Sequence, residues 1–311
     1  MRLDEKVDGA ERVIGVVCST AAVGTGVICA LAFLVHRATR RFERTRSVLF
    51  YIVFLSAATC GYVHTACSLN VDYVGLLPHL FNFVLTGSPA RHCLLLFWLV
   101  CLLCSFLFAA ASASGGGQPT TIHRKFFHLV ASLLCLSGLR FDPSLLYLAS
   151  VLVACAFAVV ECVRALAVPP FAEVVDESCV IFIDSQDSRR LVLTPILLLA
   201  GTFLPLWLAA GVLSVGVGDS AASIYGSRWG RRRWSAASKK TLEGSCAFFA
   251  SHFLATLLIG AYFGDSGSLC HAWLLLYLAL VSALLALAEA FVDNYDNVVL
   301  PLTNYVLFLP L

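Results

Sequence analysis

Apolar runs of about 20 residues recur along the chain, and they decide what kind of fold it can adopt. The first, residues 13–35, contains no charged side chain. A helix needs about 20 apolar residues to cross hydrocarbon roughly 30 Å thick, where the backbone must satisfy its own hydrogen bonds. Only 13% of the residues are charged and the mean hydropathy is +0.87, whereas soluble proteins have about 25% charged residues. The sequence therefore predicts an all-α, polytopic integral membrane helix bundle.

The length criterion predicts about ten membrane segments. Eight longer runs cover residues 13–35, 48–67, 93–113, 126–139, 144–163, 191–210, 244–263 and 272–288. Two shorter candidates cover residues 211–225 and 298–311. The stretch before the first run, MRLDEKVDGAER, mixes both charge signs. We therefore interpret the first run as a retained helix rather than a cleaved leader.

The distribution of basic residues predicts the orientation. With the N-terminus outside, ten crossings put all but five of the 21 Lys and Arg residues on one face, the exceptions being Arg2, Lys6, Arg12, Arg91 and Arg140. Short cytoplasmic loops are enriched in Lys and Arg, so the basic face is predicted to be cytoplasmic. This orientation requires residues 211–225 to cross the membrane. A re-entrant segment there would place every later loop on the opposite face. The net charge of +2 indicates no nucleic-acid partner, and the oligomeric state is not predicted.

The stretch SASGGGQPTT, residues 112–121, separates two membrane blocks. We predict accessory N-terminal helices over residues 1–113, a linker over residues 114–121 and a catalytic membrane domain over residues 122–311. The chain shows no internal repeat of the kind found in many transporters. Nearly all 13 cysteines lie in apolar runs, which favours small buried side chains over disulfides or zinc ligands.

Two polar motifs directly precede predicted helices. HRKFFH, residues 123–128, would bring Arg124, Lys125 and His128 to a phosphate, although such cations are also typical of a cytoplasmic membrane anchor. The second motif, DSQDSRR, contains two carboxylates three residues apart. On a helical turn they would share one side and could hold a divalent cation, and the alternative is a helix N-terminus whose acids complement the dipole. These carboxylates are Asp184 and Asp187.

Residues 215–245, VGVGDSAASIYGSRWGRRRWSAASKKTLEGS, interrupt the apolar pattern. An acid at the centre of a membrane helix costs about 2.5–3.5 kcal/mol and is usually functional, so Asp219 needs a cation or a proton. The surrounding small, hydroxyl-bearing and basic residues suit a triphosphate. They are Gly218, Ser220, Gly226, Gly230, Lys239, Lys240, Thr241, Glu243 and Gly244. The alternative is an ordinary basic loop on anionic lipid, worth about 1 kcal/mol per cation.

A last polar cluster, EAFVDNYDN, ends a predicted membrane helix. Glu289, Asp293 and Asp296 follow spacings of four and three residues, so their carboxylates can face one site. A solvated helix end is the alternative. All four clusters reach the predicted cytoplasmic face, which together predicts an active site.

The motifs G-D-x-x-A-S-x-x-G and K-K-T-x-E-G-S, at residues 218–226 and 239–245, resemble the nucleotide-binding region of the dolichol kinase family. The resemblance covers roughly residues 122–311 and includes RKFFH, DSQD and E-A-F-x-D-N-x-D-N. It implies an endoplasmic reticulum membrane enzyme with a cytoplasmic active site. That enzyme would transfer phosphate from CTP to the terminal hydroxyl of dolichol or a polyprenol, giving dolichyl phosphate for protein glycosylation.

Phosphoryl transfer needs charge neutralisation and alignment more than covalent help, and we hypothesise roles for the residues on that basis. Asp219, with Asp184 or Asp187, would hold a divalent metal ion, magnesium or calcium, on the CTP phosphates, and Asp293 or Asp296 would orient or deprotonate the lipid hydroxyl. The remaining phosphate charge would be neutralised by Lys239, Lys240, Arg124 and Lys125. Three alternatives stay open: another CTP-linked lipid enzyme, such as a phytol kinase or a phosphatidate cytidylyltransferase, a membrane transporter, and a non-catalytic membrane scaffold.

Overall fold

The computed structural model describes residues 2–39, 43–86, 88–114, 121–179, 194–203, 209–236, 238–263, 272–292 and 295–309. Within these ranges the chain forms helices and no strand beyond one isolated bridge between Arg233 and Thr241. The elements are α1 (Arg2–Ala38), α2 (Glu43–Leu69), α3 (Leu76–Leu85), α4 (Pro89–Ser114), α5 (Thr121–Phe141), α6 (Pro143–Ala165), α7 (Phe171–Cys179), α8 (Thr194–Phe203), the π-helix π1 (Val212–Asp219), α9 (Ser220–Trp229), α10 (Leu242–Phe263), α11 (Ala272–Phe291) and α12 (Asp296–Phe308). The all-α prediction is confirmed.

Six of the described helices are long and apolar enough to cross a membrane: Gly9–Ala38, Arg44–Leu69, Pro89–Ser112, Pro143–Ala165, Leu242–Tyr262 and Ala272–Phe291. They match six of the predicted segments. Three other predicted segments fall in α5, in π1 with α9, and in α12, which do not meet this length and composition criterion. The remaining one, residues 191–210, lies partly outside the described ranges. The polytopic membrane fold is therefore confirmed, and the count of about ten stays a prediction.

Contacts divide the chain into two compact units. Unit 1 comprises Met1–Leu96, Phe141–Ile183 and Asp187–Ile196, and unit 2 comprises Phe97–Arg140, Asp184–Gln186 and Leu197–Leu311. Unit 1 contains α1–α3, α6 and α7, whereas unit 2 contains α5, π1 and α9–α12. The predicted division into accessory helices, linker and catalytic domain concerns roles rather than compactness, and it stays a prediction.

In unit 1, α1 packs against α2 and α6. One hydrophobic cluster joins Ile28 and Ala32 of α1, Phe50 of α2 and Val168, which follows α6. These apolar contacts join the helices of unit 1. Outside the contacts, much of the length of each helix is exposed.

In unit 2, the core joins Leu213 and Val215 of π1 with side chains of α10, α11 and α12. Two glycines allow the backbone of π1 to pack closely against neighbouring helices. A Cβ on Gly216 would lie 1.8 Å from Ser132 Oγ of α5, and a Cβ on Gly218 would lie 2.7 Å from the Phe248 ring of α10. This fit places the last residue of π1, Asp219, beside the start of α5.

Candidate active site

Asp219 is the last residue of π1, and its side chain is only 1% exposed. Lys125 of α5 donates from Nζ to Asp219 Oδ2, and Ser223 Oγ lies 3.5 Å from Oδ1. His128, one helical turn after Lys125, is near enough to act electrostatically on the same carboxylate. A buried carboxylate in apolar surroundings requires such a cation, and here it comes from a helix 94 residues away in sequence.

Lys240 forms the second ion pair of the site. It lies just before α10 and donates from Nζ to Glu289 Oε1 of α11, a carboxylate that is almost fully buried. Burial lowers the pKa of Lys240, but attraction by Asp219 and Glu289 outweighs it, so the pKa is raised above its ordinary value. Burial and the nearby Asp219 raise the pKa of Asp296 at the start of α12. Two lysines and three carboxylates therefore share one electrostatic cluster.

The basic loop, residues 230–236 with 238–241, connects α9 to α10. Its two ends pair: Arg233 bridges Thr241, and Leu242 N donates to Arg232 O at 2.8 Å. The Glu243 carboxylate accepts from the backbone N–H groups of Arg231, at 3.1 Å, and Arg232, at 3.2 Å. This pairing holds three consecutive arginines at the end of α9 and sets Lys240 close to α11.

Glycines allow the basic loop to pack tightly between α9 and α10. A Cβ on Gly230 would lie 2.6 Å from Thr241 Cγ2, and a Cβ on Gly244 would lie 3.0 Å from the Ala222 carbonyl oxygen. A Cβ on Gly226 would lie 2.9 Å from Thr241 Oγ1. Each glycine thus has a packing reason within the chain, and its predicted approach to a nucleotide stays a prediction.

The structure brings together five residues predicted from sequence: Lys125, His128, Asp219, Lys240 and Asp296. It also adds Glu289 as the partner of Lys240. Sequence spacing had placed Glu289 in the acidic cluster without distinguishing it from the neighbouring aspartates. Its position inside the last apolar turn of the helix was the signal for an acid that needs a cation.

Other predicted residues make different contacts, are exposed, or lie outside the described part. Lys239 is exposed, and Ser220 Oγ donates to the Val215 carbonyl oxygen at 3.1 Å. Thr241 Oγ1 accepts from Gly244 N at 3.1 Å. Asp184, Asp187 and Asp293 lie outside the described ranges, and the structure describes the backbone of Arg124 in α5 but not its side chain.

A metal site cannot be assembled from the described side chains alone. Among them, no group of three His, Cys, Asp or Glu residues is arranged to hold an ion. Lys125 already engages Asp219, and the two aspartates predicted to complete the site lie outside the described ranges. The described side chains alone therefore do not form a metal site, and its completion by Asp184 or Asp187 stays a prediction.

The arrangement suits binding of a highly charged anion. A lysine ammonium is a compact point charge on a flexible stem, so it can exchange one anionic partner for another. Lys125 and Lys240 each hold a buried carboxylate, and the arginines of the basic loop that ends at Thr241 are exposed. In surroundings of low dielectric such cations interact strongly with phosphate oxygens.

Comparisons with known proteins identify the family. The family model described as dolichol kinase matches residues 7–204. The chain is 36% identical to the dolichol kinase of Homo sapiens over 251 residues, which cover 71% of this chain and 45% of that protein. It is 28% identical to a dolichol kinase of Arabidopsis thaliana over 282 residues, covering 85% and 48% of the two chains.

A more distant match is the phytol kinase of Synechocystis sp., 30% identical over 116 residues that cover 34% of this chain and 46% of that protein. No solved structure matches the chain. The chain spans about half the length of the curated relatives that it matches. Because the family match extends over well more than half of the residues, the chain belongs to the dolichol kinase family.

Proposed function

We propose that this chain phosphorylates the terminal hydroxyl of dolichol, or of a related polyprenol, with CTP as the phosphate donor. The reaction takes place at the cytoplasmic face of the endoplasmic reticulum membrane and yields dolichyl phosphate for protein glycosylation. The observation that carries the proposal is the buried cluster of Lys125, Asp219, Lys240 and Glu289 beside the basic loop. Membership of the dolichol kinase family supports the choice of lipid.

Phosphoryl transfer needs positioning and charge neutralisation more than covalent help from the protein. The exposed arginines of the basic loop attract the triphosphate. The ammonium groups of Lys125 and Lys240 then exchange their carboxylate partners for phosphate oxygens. There their positive charge stabilises the transition state. Asp296, a buried carboxylate at the start of α12 whose pKa is raised by burial and by Asp219, orients the lipid hydroxyl and accepts its proton.

A divalent cation on the CTP phosphates, magnesium or calcium, belongs to the proposal as well. Asp219, with Asp184 or Asp187, would hold it, and it would supply further neutralisation of phosphate charge. Removal of divalent ions by a chelator is expected to abolish product formation, and addition of excess magnesium or calcium is expected to restore it. Full activity in chelator would remove the metal from the proposal.

The central experiment uses the full chain in membranes with dolichol and γ-labelled CTP. Wild type is expected to form labelled dolichyl phosphate. Asp219→Asn is expected to lose nearly all of this activity at normal protein abundance, because it removes the charge that organises Lys125. The matched control is Asp176→Asn, which makes the same change at an exposed ion-paired aspartate of unit 1 and is expected to remain active. Activity retained by Asp219→Asn would contradict the mechanism.

The match to a phytol kinase favours a second isoprenoid alcohol as an alternative substrate. Competition between dolichol, polyprenol and phytol for one amount of enzyme separates these lipids, and competition between CTP and ATP identifies the donor. With α-labelled CTP, a kinase leaves the label in CDP. A phosphatidate cytidylyltransferase would instead place it in the lipid product and release pyrophosphate. Transport of a lipid without consumption of nucleotide would support a transporter.

A further inference from the structure

π1 is held by a side chain from another helix. Asn304 of α12 is fully buried and donates from Nδ2 to the Ala210 carbonyl oxygen at 3.0 Å. A carbonyl oxygen only accepts hydrogen bonds, so the nitrogen of the amide must face it. Ser214 Oγ donates to the same oxygen at 2.6 Å. Two side-chain donors therefore converge on the carbonyl of Ala210, two residues before the π segment.

The winding of π1 requires such support. π-Helices are rare, occur mostly as single turns and are frequent at functional sites, whereas π1 extends over eight residues. Ala209, just before it, has a φ of 49°, a region that residues other than glycine seldom adopt. Unfavourable local geometry persists only where surrounding structure imposes it. The serine contacts are local, whereas Asn304 lies 94 residues away in sequence.

The winding decides where Asp219 points. A π-helix bonds residue i to i+5 instead of i+4, which adds about one residue to each turn. A change of π1 to α-helical winding would therefore rotate its last residue around the helix axis. In the observed winding Asp219 faces Lys125. Gly216 and Gly218 fix the sides of π1 against α5 and α10, and Asn304 fixes its beginning.

We propose that Asn304 is a positioning residue, which maintains the π winding of residues 212–219 and so directs Asp219 at Lys125. Asn304 touches neither of these two side chains and acts through the backbone of π1. The effect on catalysis rests on the proposed function. The effect on π1 itself does not.

Amide hydrogen exchange of the full purified chain in lipid nanodiscs tests the structural part. The variants are Asn304→Leu, which removes the donor, and Thr303→Val, which removes a hydroxyl that donates within α12 to the Val299 carbonyl oxygen. Asn304→Leu is expected to accelerate exchange in residues 212–220 and leave α11 unchanged, and Thr303→Val is expected to match wild type. Unchanged exchange of residues 212–220 in Asn304→Leu would overturn the proposal.

A general loss of packing is distinguished by a second variant. If Asn304→Leu also loosens α11, Asn304→Ser supplies a smaller side chain that keeps a hydroxyl donor. Slower exchange of residues 212–220 in Asn304→Ser than in Asn304→Leu supports the role of the donor. Equal exchange in the two variants contradicts it.

Kinetics test the catalytic part. A displacement of about 1 Å at a reacting centre can lower the rate about 10²-fold, so Asn304→Leu is expected to lower kcat by that order while KM for dolichol stays near wild type. In an Asp219→Glu background, which already displaces the carboxylate, Asn304→Leu is expected to cause a much smaller further loss. A merely structural role would produce the same factor in both backgrounds.

The two failures are distinguishable. If wild type forms no dolichyl phosphate from CTP, the proposed function fails, and hydrogen exchange still decides whether Asn304 maintains π1. If wild type is active and Asn304→Leu equals it in both kcat and exchange, the inference fails and the proposed function stands.

Discussion

Arg164 of unit 1 and the two lysines of unit 2 all bind carboxylates in largely buried surroundings, but these ion pairs span different distances along the chain. In unit 1, Arg164 is 4% exposed and binds Glu161, three residues earlier, at 2.6 Å and Asp176, twelve residues later, at 3.0 Å. In unit 2, the ion pairs join residues 94 and 49 positions apart, from separate parts of the chain. The first network is local and the second depends on the complete fold of its unit.

The cations differ as well. Arginine presents a rigid fork that is satisfied by two carboxylates, whereas lysine is a flexible point charge that exchanges partners readily. Replacing a buried ion pair with apolar side chains is often neutral or stabilising, so the long-range lysine pairs of unit 2 are not explained by stability. From this comparison we expect Arg164 to stabilise the structure, and the exchangeable lysines agree with the proposal that Lys125 and Lys240 bind the nucleotide.

The largest expected effect is on the stability of unit 1. Arg164→Met removes the buried cation that binds Glu161 and Asp176, and breaking a buried ion pair typically costs about 3–5 kcal/mol. We expect a strong fall in thermal stability and in protein abundance, measured in detergent by a thermal-shift assay. The activity per folded molecule is expected to stay near wild type. Loss of specific activity at normal stability would place Arg164 with the lysines of unit 2 and break the comparison.

The converse is expected for the Lys240 pair. Replacement of both Lys240 and Glu289 by Met leaves no unpaired charge, so stability is expected to remain near wild type. Activity is expected to fall about 10²–10³-fold, the usual cost of losing one group that stabilises transition-state charge. Phosphate transfer to dolichol and thermal unfolding are measured on the same preparation. An active double variant would show that this pair is structural.

Packing around π1 gives an intermediate effect. Gly216→Ala would place a Cβ 1.8 Å from Ser132 Oγ, so α5 and π1 must separate, and overpacking typically costs about 1–3 kcal/mol. Lys125 lies two turns before Ser132 on α5, so activity is expected to fall together with stability. Ser132→Gly is expected to restore both.

The matched control for this substitution lies in unit 1. A Cβ on Gly24 meets nothing within 4 Å, so Gly24→Ala is expected to leave stability and activity unchanged. If Gly24→Ala is as harmful as Gly216→Ala, the tight fit between α5 and π1 is not the cause. A failure of Ser132→Gly to rescue would lead to the same conclusion.

The sequence predicted the membrane fold because the length of an apolar run follows directly from the thickness of hydrocarbon. It also identified Asp219 as an acid in need of a cation, because an unpaired charge is costly there. It could not choose between Lys239 and Lys240, since the pairing of the loop ends determines which one reaches Glu289. Nor could it reveal π1, because periodicity of 3.6 residues presupposes an α-helix. The glycines of the motif are visible in the sequence. The side chains that pack against them come from other helices, so the sequence could not identify those contacts.

The smallest expected effect concerns the pH dependence of activity. It shows whether Lys240 keeps its proton or loses it as the pH rises. The pKa of Lys240 is raised above its ordinary value of 10.5, because Asp219 and Glu289 outweigh the effect of burial. A lysine whose pKa is higher in the folded state stabilises the fold through its charge. This stabilisation is fully present below the unfolded-state pKa and is lost only as the pH rises through the folded-state pKa. Lys240 therefore stays charged at neutral and moderately alkaline pH.

Activity should consequently show no alkaline loss due to Lys240 below about pH 10. Lys240→Arg remains charged over that whole range. Its pH profile, scaled to its own maximum, is therefore expected to coincide with that of wild type between about pH 7 and pH 10. If wild type lost activity at alkaline pH and Lys240→Arg did not, Lys240 would be losing its proton in that range. The carboxylates of unit 2 would then not keep Lys240 protonated. Lys240 would differ from Arg164 because it loses its proton, not because it exchanges one anionic partner for another.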